Sequence, residues 1–529
     1  MTSPINTALL RITKRAEVSA RERLIQTFVD VGPLFTLLSG QDHQILFGRR
    51  GTGKTHALNY LADAREKAGD VVAMVDLRNV GSSAGLYGDQ SVPLAERATR
   101  LLVDVLCAIH DTLLEFFIEH SEALDLSQAG PVLDELADSI TQVKVVGQVE
   151  LQTQSTESRG SQTSTSGGFA VSASSLSVGG ESEDVRSASS GESKTVRRSG
   201  EERLYVNFGR TAAAFRQIAD RLSGHRLWIL LDEWSSVPLI LQPYLADLLR
   251  RALFAVPNAT VKIGAIEQRS IFLDRRDTGD YVGIELGADA SADINLDDFM
   301  VFDNDADRAK EFFKNLVARH VTAAADQLGS TAQIPSSSEG IIRQAFTETR
   351  AVEEFVRSCE GVPRDAIHIL GLAAQSALAE RISVQHIRVA ARNWYQRDKE
   401  TAASSNEEAH SLLHWIIDEV IGQRRARAFL LLSGTTDRLI DSLYDSRVLH
   451  LLKRSVSTHD RPGIRYDVYK IDYGCYVDLI STAREPQGLL PAGGSDEGDA
   501  QFVDVPPDDY RSIRRAILDL AEFYRQRAG

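Results

Sequence analysis

Residues Gly48–Thr55 read GRRGTGKT, which is the spacing G-x-x-x-x-G-K-T. These residue types at this spacing suit one kind of chemistry, the holding of a polyphosphate. Glycines carry no Cβ, so successive backbone N–H groups can turn inward around anionic oxygens. A helix starting at the lysine adds positive potential at its N-terminus. Lys54 would then reach the β- and γ-phosphates, and the Thr55 hydroxyl would ligate Mg²⁺. The candidate nucleotide contacts are Gly48, Arg49, Arg50, Gly51, Thr52, Gly53, Lys54, Thr55 and His56, with ATP and Mg²⁺ as cofactors. The bland alternative is a Gly-rich turn beside an exposed lysine.

A second stretch, ILLDEW, ends an apolar run on two carboxylates, Asp232 and Glu233. Isolated buried charges are costly, so this pairing needs a reason. Beside a phosphate cradle the reason is the metal. Asp232 would orient Mg²⁺ and its waters, and Glu233 would polarise the attacking water as general base. AIEQR places Glu267 or Gln268 at the end of the next apolar run, within reach of a γ-phosphate. GVPRDA opens a later helix with Pro363 in its first turn. Arg364 would sit at that helix start, where the dipole disfavours a cation unless an anion is near.

Strands and helices must position these groups. QILF, Gln44–Phe47, is a short apolar strand that stops at Gly48, and an amphipathic helix over Thr55–Ala68 follows it. VVAMVDL, RLWILLDEW, ATVKIGAIE and YVGIELG (Tyr281–Gly287) read as four further strands, with a long helix from Ala95 to about His120 between the first two. Strands alternating with helices predict an α/β fold, a parallel sheet covered by helices. Residues 303–400 are helical in pattern throughout.

Roughly half of residues 151–200 are Ser, Thr or Gly, a low-complexity bias. Yet Val143, Val145, Val149 and Leu151 alternate, as do Phe169, Val171 and Ala173, which is the strand period. This stretch is expected to form β-hairpins, or loops of strand propensity, inserted in the α/β region; a disordered loop is the alternative.

The order of these parts resembles the AAA+ ATPases. GRRGTGKT matches their Walker A motif, ILLDEW their Walker B motif, the polar end of VKIGAIEQ their sensor 1, and GVPR their sensor 2 in a helical lid. The resemblance spans about residues 25–400. It implies catalytic roles for Glu233, Lys54, Arg364 and Gln268, and an arginine finger completing a neighbouring copy's site. Arg275 and Arg276 are best placed for the finger, with Arg269 next.

Beyond the lid, EAHSLLHWIIDEVI, RAFLLL, DRLIDSLYDSRVLHLLKRS and IRYDVYKIDYGCYVDLI read as helix, strand, two short helices and hairpin. That order is similar to a winged helix, and a lid followed by one resembles the origin-recognition clade. The resemblance implies contact with duplex DNA through Arg447, His450, Lys453 and Arg454 on the second short helix, and Arg461, Arg465 and Lys470 in the wing. Charges between Asp437 and Asp478 nearly balance, however, so protein docking stands as the alternative for this module.

The expected organisation is a helical lead-in over 1–30, an AAA+ core over 31–300 with the insertion at 145–200, a lid over 301–400, a winged helix over 401–483, a linker over 484–507 and a final helix over 508–529. That helix would bury Ile513, Ile517, Leu520 and Phe523. The chain has 529 residues, 43% apolar and 25% charged, with a net charge of -15. This balance excludes a generic nucleic-acid coat. No apolar run approaches the ~20 residues of a membrane span, so a cytoplasmic location is expected. Cys107, Cys359 and Cys475 match no metal spacing and read as small core residues. Two functions compete. One is an oligomeric ATPase coupling nucleotide state to assembly on duplex DNA. The other is a signalling switch in a bacterial conflict or phage-defence system, acting through a protein partner at the insertion or the C-terminal helix.

Overall fold

The computed structural model describes residues 3–528 except 15–18, 81–84, 121–125, 141–142, 156–181, 190–191, 205, 223, 276–278, 301–304, 327–333, 425, 458–462 and 482–515. Strands run in the order β1 (Gln44–Phe47), β2 (Val71–Asp76), β3 (Val143–Ser155), β4 (Ser182–Ser189), β5 (Glu192–Leu204), β6 (Leu227–Asp232), β7 (Ala259–Ala265), β8 (Leu273–Arg275), β9 (Tyr281–Gly283), β10 (Ser291–Asn295), β11 (Ala428–Leu432), β12 (Leu449–Ser457) and β13 (Arg465–Ile471). The fold is α/β, as expected. Its principal sheet is parallel and five-stranded, in the order β10-β1-β7-β6-β2.

The chain forms two compact units. One holds residues 1–64, 263–270 and 292–529, and the other holds 65–262 and 271–291. In the second unit β2 and β6 pair in parallel from Val71 opposite Leu227 to Asp76 opposite Asp232. Every residue of β6 is buried, which fits its unbroken LWILL run. Helices Leu94–Glu119, Leu126–Ile140, Phe208–Asp220 and Gln242–Leu249 accompany these strands. The insertion forms a three-stranded antiparallel sheet, β3-β5-β4, with Val143 opposite Leu204 and Ser155 opposite Glu192. The strand period of Val143–Leu151 is therefore real, while Phe169, Val171 and Ala173 lie outside the described residues.

One strand differs from expectation. Tyr281–Gly287 does not join the principal sheet. Only Tyr281–Gly283 is a strand, and it pairs with β8 in a separate ribbon. Gly283 explains the departure. Its φ is +125°, and a Cβ there would lie 2.0 Å from the Phe272 carbonyl oxygen, so the backbone turns off at that point. One edge of the sheet is β10, whose SADIN sequence alternates but holds only two apolar residues, Ala292 and Ile294, too few to stand out.

In the first unit the helices Ala306–Ala325, Ser338–Ala345, Thr349–Ser358, Pro363–Ala377 and Val384–Trp394 realise the helical pattern over 303–400. The C-terminal part follows with helix Glu407–Ile416, β11, helix Arg438–Asp445, β12, β13 and helix Tyr473–Ser481. Its sheet is antiparallel, in the order β11-β13-β12. Two expectations fail here. The second short helix is a strand, β12, because its backbone pairs antiparallel with β13, from Leu449 opposite Ile471 to Ser457 opposite Arg465. The expected hairpin over 464–480 is one strand followed by a helix. Asp472 ends the strand by accepting the Gly474 and Cys475 N–H groups at 2.9 and 3.3 Å, which starts the helix. The C-terminal helix is shorter than the expected 508–529. It runs Leu520–Ala528, because Ile517 pairs instead with Leu430 of β11 in a parallel bridge. Ile513 lies outside the described residues, and Leu520 and Phe523 pack into this module's own core beside Trp415. Cys359 and Cys475 are buried and Cys107 is half-buried, as core residues should be.

Candidate functional site

The cradle is built from β1 and the helix Lys54–Lys67. The Gly48 N–H donates to the Ala265 carbonyl at 3.2 Å, so the loop leaves the sheet at β7. Gly51 and Gly53 have φ of +85° and +101°, which L side chains resist. A Cβ on Gly48 would lie 2.5 Å from Thr52 Oγ1, while Gly53 faces open space. Lys54 begins the helix, buried, and its Nζ donates to the Gly48 and Arg49 carbonyls at 2.8 and 3.0 Å. Thr55 is the next helical residue. Arg50 is exposed. These features fit a polyphosphate, since the loop presents a bare backbone, a helix start and a captive ammonium.

Arg364 meets this loop. Its N–H donates to the Gly51 carbonyl at 3.1 Å, and a Cβ on Gly51 would lie 2.7 Å from the Arg364 Cβ. Pro363 is the first residue of its helix, as the sequence suggested. Beside the loop a pocket of about 500 Å³, counted to its open mouth, is lined by Val29, Thr52, Gly53, His56, His320 and Ile367 among others. An apolar pocket touching a phosphate cradle suits the base of a nucleotide.

The Arg49 side chain is turned inward, into contacts within this unit. Its guanidinium is 2% exposed. Nε donates to Asp297 Oδ1 at 2.7 Å, and one terminal nitrogen donates to His450 Nδ1 at 2.6 Å. The group also sits 5.0 Å from the Tyr444 ring centroid. Burial opposes the charge, but Asp297 outweighs it, and Arg49 is held above its ordinary range. His450 Nε2 lies 3.1 Å from Asp472 Oδ1 and donates to it. Both ring nitrogens are thus assigned, with Nε2 protonated and Nδ1 bare. Burial and Arg49 push His450 down to about 3, so it is neutral at physiological pH.

Further ion pairs tie the C-terminal module to the rest of this unit. Lys399 Nζ lies 2.5 Å from Asp472 Oδ1 and 2.8 Å from Asp365 Oδ2, with all three side chains almost fully buried. Arg447 pairs with Asp365 at 3.0 Å and also with Asp398. Lys470 pairs with Glu360 at 2.7 Å, both buried. Arg454 pairs with Glu267 at 2.5 Å, and Arg269 with Asp445. Of the residues expected on DNA, Arg447, His450 and Lys470 are therefore buried in internal contacts, and Arg454 is engaged. Lys453 and Arg465 are exposed, and Arg461 lies outside the described residues. Arg447, Arg454 and Lys470 each have an acidic partner outside the module, whereas Arg465 donates to the Ser455 carbonyl at 3.1 Å.

In the second unit Asp232 ends β6, 1% exposed, and accepts the Glu233 N–H at 2.9 Å. Glu233 has φ +58° and ψ +40°, a left-handed conformation uncommon for glutamate. Trp234, fully buried, stacks on Phe272 at 4.9 Å and anchors the turn. Arg275 pairs with Glu285 at 3.1 Å, both largely exposed. Arg276 lies outside the described residues. In the first unit Glu267, Gln268 and Arg269 form a short 3₁₀ turn after β7, and Asn295 donates to Glu267 at 3.2 Å.

Sequence reasoning missed Asp297, Glu360, Asp365, Lys399 and Asp472 as partners of the cradle and its neighbours. Asp297 and Asp365 stand in helices, Lys399 ends a π-helical turn, Asp472 follows a strand, and Glu360 sits in a turn at φ +49°. Only the buried contacts of the folded chain, separated by tens to hundreds of residues, reveal them.

A family model described as ORC-CDC6-like matches residues 13–66, the stretch that holds β1, the glycine loop and most of the following helix. No curated protein matches the chain. Among solved structures, the Aeropyrum pernix Orc1 protein in complex with DNA aligns at 12% identity and a TM-score of 0.30, over 88% of this chain and 93% of that one. By its motifs and that family match, the chain is similar to origin-recognition-type AAA+ proteins. No helix among the described residues is long and apolar enough to cross a membrane.

Proposed function

We propose that the chain binds ATP with Mg²⁺ at the Gly48–Thr55 loop and hydrolyses it. The single observation that carries this reading is the cradle: left-handed glycines, a buried lysine at a helix start, and the Arg364 backbone seated on Gly51. Lys54 and Arg364 would hold the phosphates, and Thr55 and Asp232 the metal. Mg²⁺, when bound, would neutralise charge developing on the transferred phosphoryl group. Glu233 would orient the attacking water and take its proton. Gln268 would lie close to the γ-phosphate.

The nucleotide state is proposed to act through the C-terminal module, with duplex DNA as the output and assembly of copies through an arginine finger, Arg269, Arg275 or Arg276. Exposed Lys453 and Arg465 are the residues offered to DNA in this conformation; Arg447, His450 and Lys470 would become available only if the module leaves its seat. A second reading is favoured by a specific observation. Arg49, a residue of the loop itself, is sunk onto His450 of the module. That wiring suits a signalling switch held closed until a trigger acts, the conflict or defence reading. ATP turnover with and without duplex DNA at low salt separates the two. A rate raised by DNA supports the first reading. A rate at the Glu233→Gln background in both conditions supports the second.

A further inference from the structure

Two histidines face the pocket beside the glycine loop, and the backbone dictates how each presents itself. His320 Nδ1 lies 2.9 Å from the Leu316 carbonyl. A carbonyl only accepts, so Nδ1 carries the hydrogen. Burial and the neighbouring His56 push His320 down to about 4, so the ring is neutral and Nε2 is a bare acceptor. His56 has the opposite tautomer. Its Nε2 is hydrogen-bonded to the Leu24 carbonyl and lies 3.3 Å from Thr27 Oγ1, which leaves Nδ1 bare. Burial lowers His56 as well. The two rings are edge-on at 6.4 Å. Both line the pocket whose other wall includes Thr52 and Gly53 of the loop. Its apolar lining supplies faces for stacking but no donor from these imidazoles.

We propose that His320, with His56 beside it, reads a 6-amino group on a purine, and so selects adenine over hypoxanthine or guanine. The proposal rests on the reading of the loop as a nucleotide site. A 6-amino group has hydrogens to give to a bare imidazole nitrogen. A 6-oxo group presents lone pairs to the same nitrogen. Accommodating it would require His320 to move its hydrogen to Nε2 and leave the Leu316 carbonyl, so one buried polar group loses its partner either way. Tethering of the triphosphate to the loop limits how far the base can turn to present another edge.

The test is the affinity of the full-length chain for ATP, ITP and GTP with Mg²⁺ at pH 7.5, measured by calorimetry. ATP is expected to bind about 10- to 100-fold more tightly than ITP. In His320→Leu the ratio is expected to fall to within about threefold, the loss falling on ATP. Thermal unfolding of the nucleotide-free variant checks that it folds. If it does not, purine riboside triphosphate, which lacks the 6-amino group, replaces the mutation and should bind wild type about as weakly as ITP. No binding of any nucleotide would overturn the nucleotide-site reading itself. Equal binding of ATP and ITP would overturn base selection while leaving that reading intact. A ratio that persists in folded His320→Leu would overturn the role given to His320.

Discussion

Replacing Lys399 by methionine removes one ammonium from between two buried carboxylates, Asp365 and Asp472. Methionine keeps most of the volume, so the cavity contribution is small and the effect is electrostatic. Removing one partner of a buried ion pair costs about 3–5 kcal/mol. Here neither carboxylate is left bare. Asp365 keeps Arg447 at 3.0 Å, and Asp472 keeps His450 and two backbone N–H groups. The lower end, about 3 kcal/mol, is expected. At about 1.4 kcal/mol per decade, that is on the order of a hundredfold loss of amide protection in the helix Pro363–Ala377 and in β13. The pH dependence has a definite sign. Burial would raise both carboxyls, but Arg447 and Lys399 outweigh it at Asp365, and Lys399 and His450 do so at Asp472, so both are held below their usual range. Their stabilisation is present above the unfolded carboxylate range and is lost as pH falls through the folded values. Without Lys399 both protonate more readily, so the deficit of the variant is largest near pH 7 and narrows toward pH 4. Hydrogen exchange by mass spectrometry at both pH values reads this. A loss under about 1 kcal/mol at pH 7, or a deficit that widens in acid, would refute the reasoning.

Gly51→Ala adds a Cβ 2.7 Å from the Arg364 Cβ at a φ of +85°. It should cost about 1–2 kcal/mol and weaken ATP binding at least about tenfold, read by calorimetry and a thermal midpoint. Arg49→Met leaves Asp297 and His450 without their cation. It should destabilise the first unit by about 3 kcal/mol and expose the C-terminal module to limited proteolysis, a pattern that a plain surface arginine would not give. Asp445→Asn removes only the partly exposed pair with Arg269, so stability should change by less than about 1 kcal/mol. If Arg269 serves a neighbouring copy, ATP turnover in that variant should rise with protein concentration more steeply than in wild type.

Local signals made the α/β core legible. The QILF strand, the glycine loop and the amphipathic helix each carry their own period and punctuation, and the structure forms all three. The C-terminal module was less legible for a physical reason. VLHLLKRS has enough apolar residues for either a helix or a strand, and its choice is made by β13, paired from Leu449 opposite Ile471. The same holds for charge. His450, Arg447 and Lys470 read as surface cations because a sequence shows a residue's charge and not its partner. Asp472, Asp365 and Glu360, which bury them, lie 22, 82 and 110 residues away. Asp232 and Glu233 were conspicuous because they end the most apolar strand of the chain; of the two pocket histidines, His56 entered only as the residue after Thr55, and His320 gave no local signal at all.

The most direct test of the central claim is the steady-state ATP hydrolysis rate of the purified chain with Mg²⁺, beside Glu233→Gln and with ATP binding measured in both. Both proteins are expected to bind ATP, and under conditions where wild type turns over, Glu233→Gln is expected to be slower by a factor of about 100 or more. Failure of wild type to bind ATP, or equal turnover by the two proteins, would contradict that claim.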